Sequence, residues 1–142
     1  MNKKRALVDR FPPSEPCSCA VCAGYCMRPG WWTVQEAHKA LDAGLAYRMM
    51  LELSPELTFG VLAPALRGCE GRIAALPMSS GCCFFSNGLC ELFGTGLEPL
   101  ECRFCHHVRA DAGQSCHTAL EADWNTPAGQ ALVIRWLCAI RR

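Results

Sequence analysis

Four cysteines fall within ten residues, Cys17-x-Cys19-x2-Cys22-x3-Cys26, and eight more follow along a chain of 142 residues. At about 8.5% of the sequence, cysteine reaches the range where thiol chemistry constrains the fold. Two chemistries compete. An even cysteine count in a short chain can be a disulfide framework in an oxidising compartment. In a reducing compartment, clustered thiols instead bind metal or do redox work. An export segment needs 7–15 apolar residues after a basic start. Here only Ala6-Leu7-Val8 follows Lys3-Lys4-Arg5 before Asp9, Arg10 and Pro12-Pro13 interrupt. The expectation is a cytoplasmic chain whose grouped thiols hold metal. Spacings of one to three residues let one short loop wrap its sulfurs around a point, as thiolate-bound zinc or iron requires.

The remaining cysteines form a second group, Cys82-Cys83, Cys90 and Cys102-x2-Cys105, followed directly by His106-His107; Cys116-His117 comes later. Cys69 and Cys138 stand apart and read as ordinary core or unpaired thiols. The interval between the groups is too long for a local zinc knuckle. It implies one site, or two neighbouring sites, assembled from distant segments. Leu, Ile, Val and Phe make up only about 22% of the chain, close to the lower bound for a folded domain. Bound metal would add folding free energy to this thin aliphatic core.

Local signals sketch the architecture. Thr33-Val34-Gln35-Glu36 is a capping box that starts a helix running to Leu41, with Gly44 as its break. Residues 45–53 resume a helical pattern that Pro55 stops. Residues 54–81, rich in glycine and proline, read as loop with one or two short elements. Asn87-Gly88 between apolar flanks predicts a short hairpin over 84–93. Residues 99–107 read as a ligand-rich loop and 114–124 as a short helix. Thr126-Pro127 opens a last helix to about 141, with Leu132, Val133, Trp136, Leu137 and Ile140 on its apolar face. The fold class is therefore mostly α: a small, cysteine-rich, loop-rich domain stapled by metal, with at most a short β-hairpin. Residues 1–16 form a polar, proline-broken N-terminal segment, and 17–142 a single metal-binding domain.

A net charge of +1, with basic residues clustered only at the two ends, argues against nucleic-acid binding. No apolar run approaches the ~20 residues needed to span a bilayer. Protein partners and oligomeric state are left open.

The stretch Cys82-x-Phe84-Phe85-x2-Gly88-x-Cys90-x-Leu92-Phe93, then Pro99-x2-Cys102-Arg103-x-Cys105, resembles the YkgJ-like cysteine-cluster family. So does the tight loop Cys19 to Cys26 followed by the helix Thr33 to Leu41. The likeness covers roughly residues 17–107. Three features depart from the family pattern: Cys22-x3-Cys26 near the start, Gly94 and Gly96 where an arginine usually precedes the proline, and Arg103-Phe104-Cys105-His106-His107 at the end. Members are described as zinc or iron chelators, and similar clusters in flagellin lysine methylases are taken as iron–sulfur sites. The resemblance implies a metal centre; the methylating activity does not transfer on these motifs.

Together these readings give a candidate ligand set of Cys17, Cys19, Cys22, Cys26, Cys82, Cys90, Cys102 and Cys105, with Cys83, His106, His107, Cys116 and His117 as further possible donors. All-thiolate sites suit both zinc and iron–sulfur clusters. More than four thiols from several segments favour an iron–sulfur cluster, with zinc as the other cofactor. The expected role is a carrier, sensor or electron-transfer module. The alternatives are an iron–sulfur enzyme or enzyme subunit, and a disulfide-rich secreted protein. No Ser-His-Asp set, phosphate-cradling glycine loop or HExxH helix is present, and Glu121 and Asp123 have no evident base partner.

Overall fold

The computed structural model describes residues 6–15, 19–24, 30–74, 81–86 and 89–141. Among the described residues, six helices and two small antiparallel sheets follow in order: α1 Leu7–Arg10, α2 Ala20–Gly24, α3 Val34–Asp42, β1 Met49–Leu53, β2 Gly60–Pro64, β3 Phe85–Ser86, β4 Leu89–Cys90, α4 Leu100–Phe104, α5 Ala110–Trp124 and α6 Pro127–Ile140. Single 3₁₀ turns occupy Ala46–Arg48 and His107–Arg109. The molecule is mostly helical and loop-rich, as its composition implied.

Both predicted helix starts form as read. The Thr33 hydroxyl accepts the Glu36 amide and the Glu36 carboxylate accepts the Thr33 amide, each at 3.0 Å. Glu36 also accepts from the Leu100 amide and pairs with Arg103 at 2.7 Å, so the cap of α3 fastens α4 beside it. Asp123, for which the sequence offered no partner, accepts the Val34 amide and ties α5 to the same helix end. At α6, Thr126 accepts the Gly129 amide with Pro127 in the first turn. Leu132, Val133 and Trp136 are buried there, and Leu137 and Ile140 pack at the edge.

Residues 45–53 depart from the expected helix. Gly44, at φ +91°, ends α3, and one 3₁₀ turn leads into β1. β1 pairs with β2 in the register Met49↔Pro64 to Leu53↔Gly60. Met49, Met50 and Leu51 are all buried, as is the whole of β2. A short apolar run covered on both faces suits a strand rather than a one-sided helix, and periodicity alone does not separate the two. The expected hairpin also forms, with Phe85 opposite Cys90 and Ser86 opposite Leu89; its Asn87-Gly88 turn lies outside the described residues.

Residues 99–107 contain α4 rather than continuous loop, and α5 begins at residue 110 rather than 114. One core cluster gathers the buried side chains of α3, β1, β2, α5 and α6. Four tryptophans wire it together, each indole N–H finding an acceptor, as buried indoles require. Trp31 donates to Glu52, Trp32 to the Leu97 carbonyl, Trp124 to the Trp32 carbonyl and Trp136 to the Ala46 carbonyl, at 2.7–2.9 Å. Cys69 is buried and Cys138 exposed. Among the described residues, no helix is long and apolar enough to cross a membrane.

Candidate metal centre

Cys19 and Cys22 of the N-terminal thiol cluster lie against the turn that follows α4. Cys19 precedes α2 and Cys22 lies within it, so the x2 spacing sets both sulfurs on one side of a single helical turn. His107, more than eighty residues later, opens the 3₁₀ turn between α4 and α5. Its Nδ1 stands 3.4 Å from Cys19 Sγ and 3.4 Å from Cys22 Sγ. Among the described residues, this is the group whose ligand atoms all lie within 4.8 Å of one another. It sits at the surface, with His107 exposed and Cys22 half-buried.

These distances test the fit to a metal. Zinc–sulfur bonds of about 2.3 Å and zinc–nitrogen bonds of about 2.0–2.1 Å, set at the tetrahedral angle, place sulfur and nitrogen about 3.5 Å apart. The observed separations agree. The Cys22 amide points at Cys19 Sγ at 3.5 Å, and the His107 amide at Cys22 Sγ at 3.4 Å. Both contacts hold the sulfurs in place beside the imidazole. A cysteine–cysteine–histidine group of this geometry fits a single metal ion. His106 is stacked on His107 with ring centroids 4.1 Å apart, and its Nδ1 accepts the Val108 amide at 3.2 Å.

The other expected ligands lie elsewhere. Cys17 and Cys26 are outside the described residues. Cys82 precedes the β3–β4 hairpin, Cys90 ends it, and Cys102 lies in α4 within electrostatic range of both, without the close grouping of Cys19, Cys22 and His107. The Cys102 sulfur is walled in by Gly30, where an added Cβ would stand 2.6 Å from it. Burial raises Cys102 well above the usual thiol range, against a hydrogen bond from the Gly30 amide; its other influences include Cys90 and the carboxylates of Glu101 and Glu98. Cys82 is raised by a hydrogen bond with Cys83 and then by burial, while Cys83 is lowered by the same bond, with Arg48 adding to the effect. Cys105 packs toward Gly113 of α5, and burial pushes it up to about 11. None of these five thiols joins the Cys19–Cys22–His107 group.

His117, also considered a donor, serves the frame. Its Nδ1 pairs with Glu101 Oε2 at 2.8 Å, while Glu101 Oε1 accepts the Trp31 amide at 2.9 Å. The Trp31 ring covers the imidazole, with centroids 4.2 Å apart. A buried carboxylate thus joins α4, α5 and the segment entering α3. Its neighbour Cys116 is fully buried, and burial raises it to about 12.

The spacing of Cys19 and Cys22 was legible in the sequence, and so was the His106-His107 pair among the four histidines, whereas the choice of His107 within that pair was not. The available signal was its position just after Cys102-x2-Cys105. Comparisons with family models, with curated proteins and with solved structures found no match. The likeness to the YkgJ-like family therefore rests on the quoted motifs alone. The cysteine–histidine group supports a metal-binding role on geometry.

Proposed function

We propose that the protein is a cysteine-cluster metal carrier or sensor whose first centre is a single zinc ion held by Cys19, Cys22 and His107. The observation that carries this reading is the pair of 3.4 Å sulfur–nitrogen separations at a surface site. That spacing accords with one metal ion shared by all three side chains, and zinc is the simplest such ion for a cysteine–cysteine–histidine set. A fourth ligand would come from solvent or from Cys17 or Cys26, its neighbours in sequence. Three ordered ligands at the surface suit an ion that exchanges with a partner, unlike a closed structural site. The free thiols at Cys82, Cys83, Cys90, Cys102, Cys105 and Cys116 accord with a reducing, cytoplasmic setting.

The test is anaerobic purification, metal analysis and cobalt substitution. One zinc per chain is expected, replaced by cobalt with the visible spectrum of a tetrahedral thiolate site. His107→Ala should weaken zinc binding while Cys69→Ser leaves it unchanged. Iron and inorganic sulfide in the purified protein, dependent on Cys19 and Cys22, would refute the zinc reading.

A further inference from the structure

Cys19 and Cys22 meet the geometric requirements of a disulfide as well as those of a shared metal ion. Their sulfurs lie within 4.8 Å of one another, and the Cys22 amide meets Cys19 Sγ at 3.5 Å. The x2 spacing across the start of α2 sets the two Cα atoms about 5 Å apart, inside the roughly 4.4–6.8 Å span that a disulfide bridges. Closing the sulfurs to about 2.05 Å takes side-chain rotation within one helical turn. His107, on a separate segment, is not drawn along.

Exposure and ionisation single out this pair. Among the described cysteines, Cys19 and Cys138 are exposed, and Cys22 stands half-buried beside Cys19. Cys138 lies on α6, outside the close group. Burial raises Cys90, Cys102, Cys105 and Cys116 above the ordinary thiol range, which keeps them protonated and unreactive at neutral pH. Cys82 and Cys83 are the nearest rivals, because their hydrogen bond lowers Cys83 while it raises Cys82. Yet Cys82 is only 8% exposed, and the Cys83 sulfur is turned against the Arg48 carbonyl at 3.5 Å.

The donor set decides what oxidation does to a bound ion. Zinc holds cysteine as the thiolate, which is also the form that reacts with oxidants. One two-electron oxidation joins both sulfurs and leaves the His107 imidazole alone. A site of four cysteines would need two disulfides to lose as much.

We propose that Cys19 and Cys22 are a thiol–disulfide pair through which a hydroperoxide empties the metal centre. The release rests on the zinc reading, whereas the disulfide rests on the geometry of the two cysteines. The exposed Cys19 attacks one peroxide oxygen: a sulfur–oxygen bond forms, the oxygen–oxygen bond breaks, and hydroxide leaves a sulfenic acid behind. Cys22 then attacks that sulfur: the sulfur–sulfur bond forms, the sulfur–oxygen bond breaks, and a second hydroxide leaves. Two protons from solvent turn both hydroxides into water. The sulfurs together give up two electrons to the peroxide, and zinc departs as the divalent ion, its oxidation state unchanged.

The test treats reduced, zinc-loaded full chain with hydrogen peroxide. Zinc release is followed with a chromogenic chelator, and the cysteines are mapped by peptide mass spectrometry. The expected result is one zinc lost per Cys19–Cys22 disulfide, with tryptophan emission unchanged and zinc binding restored by dithiothreitol. Cys138→Ser behaves as the unmodified chain, and Cys22→Ser forms no disulfide at Cys19. The map of the unmodified chain decides the pairing even if Cys22→Ser fails to fold. A disulfide at Cys82–Cys83 instead, or one joining Cys19 or Cys22 to Cys17 or Cys26, overturns the proposal. So does zinc retained with Cys19 and Cys22 still reduced, an outcome that leaves the zinc reading standing. A Cys19–Cys22 disulfide in protein that binds no zinc refutes the zinc reading and upholds the pair.

Discussion

Replacing Gly30 with alanine tests whether the packing between the thiol loop and α4 is as tight as the structure makes it. The new Cβ would lie 2.6 Å from Cys102 Sγ, 2.9 Å from the Cys102 backbone nitrogen and 3.2 Å from Glu101 Cβ. The sulfur would have to retreat by about 1 Å to reach ordinary contact distance. The backbone nitrogen is held by its helix, so rotating one side chain does not relieve the clash. Overpacking of this kind costs about 1–3 kcal/mol. Moving α4 away would also stretch the two hydrogen bonds that fix it to Trp31, at 2.9 and 3.2 Å, each worth about 1 kcal/mol. A total near 3 kcal/mol lowers the melting temperature by about 6–12 °C for a chain of this size. Thermal melts by circular dichroism should show that drop for Gly30→Ala. Gly24→Ala is the control, since nothing lies within 4 Å of its added Cβ. A Gly30→Ala protein that melts with the unmodified chain would refute the close approach.

Two further outcomes follow from burial. Cys116 is raised from an ordinary 9.0 to about 12, chiefly by burial. Between those values the unfolded thiol ionises first and binds fewer protons than the folded one, so stability falls as pH rises through this window. Urea midpoints should therefore decline more steeply between pH 9 and 11 for the unmodified chain than for Cys116→Ala; equal slopes would contradict the burial. Removing metal with a chelator should expose the amides of residues 19–24 and 107–109 to hydrogen exchange while tryptophan fluorescence stays native. Global unfolding on chelation would show that the centre holds the whole core.

What the sequence revealed divides along the range of the interactions involved. The caps at Thr33 and Thr126 are legible because donor and acceptor lie three residues apart. The β3–β4 hairpin is legible because Asn-Gly fixes its turn chemistry. β1 is not, because Met49-Met50-Leu51 is apolar without alternation and its partner strand begins only at Gly60. α4 was hidden by its own composition: a five-residue helix that carries Cys102 and ends beside Cys105 looks like a ligand loop when only cysteine spacing is read. For the site, spacing selects Cys19 and Cys22, but His107 reaches them only after α4 turns the chain back. The carboxylate of Glu101 carried no sequence signal, since its meaning lies in contacts with Trp31 and His117.

Residues 101–107 distribute their side chains among separate neighbours, which explains why the candidate ligands do not converge on one point. In a helix, adjacent side chains diverge by about 100°. Glu101 accordingly turns to Trp31 and His117, while Cys102 turns to Gly30. One turn on, Cys105 packs on Gly113, and His107 meets the N-terminal loop. A metal bound by Cys19, Cys22 and His107 thus staples a surface loop to the α4–α5 junction. The buried framework of Trp32, Trp124, Trp136, Met49, Met50, Leu62 and Leu120 lies apart from that staple. Removing such an ion would free two chain segments to fray without opening the apolar core to water. The thin aliphatic composition that made a metal look indispensable is offset by tryptophan and methionine, which bury more surface per residue than the aliphatic count registers.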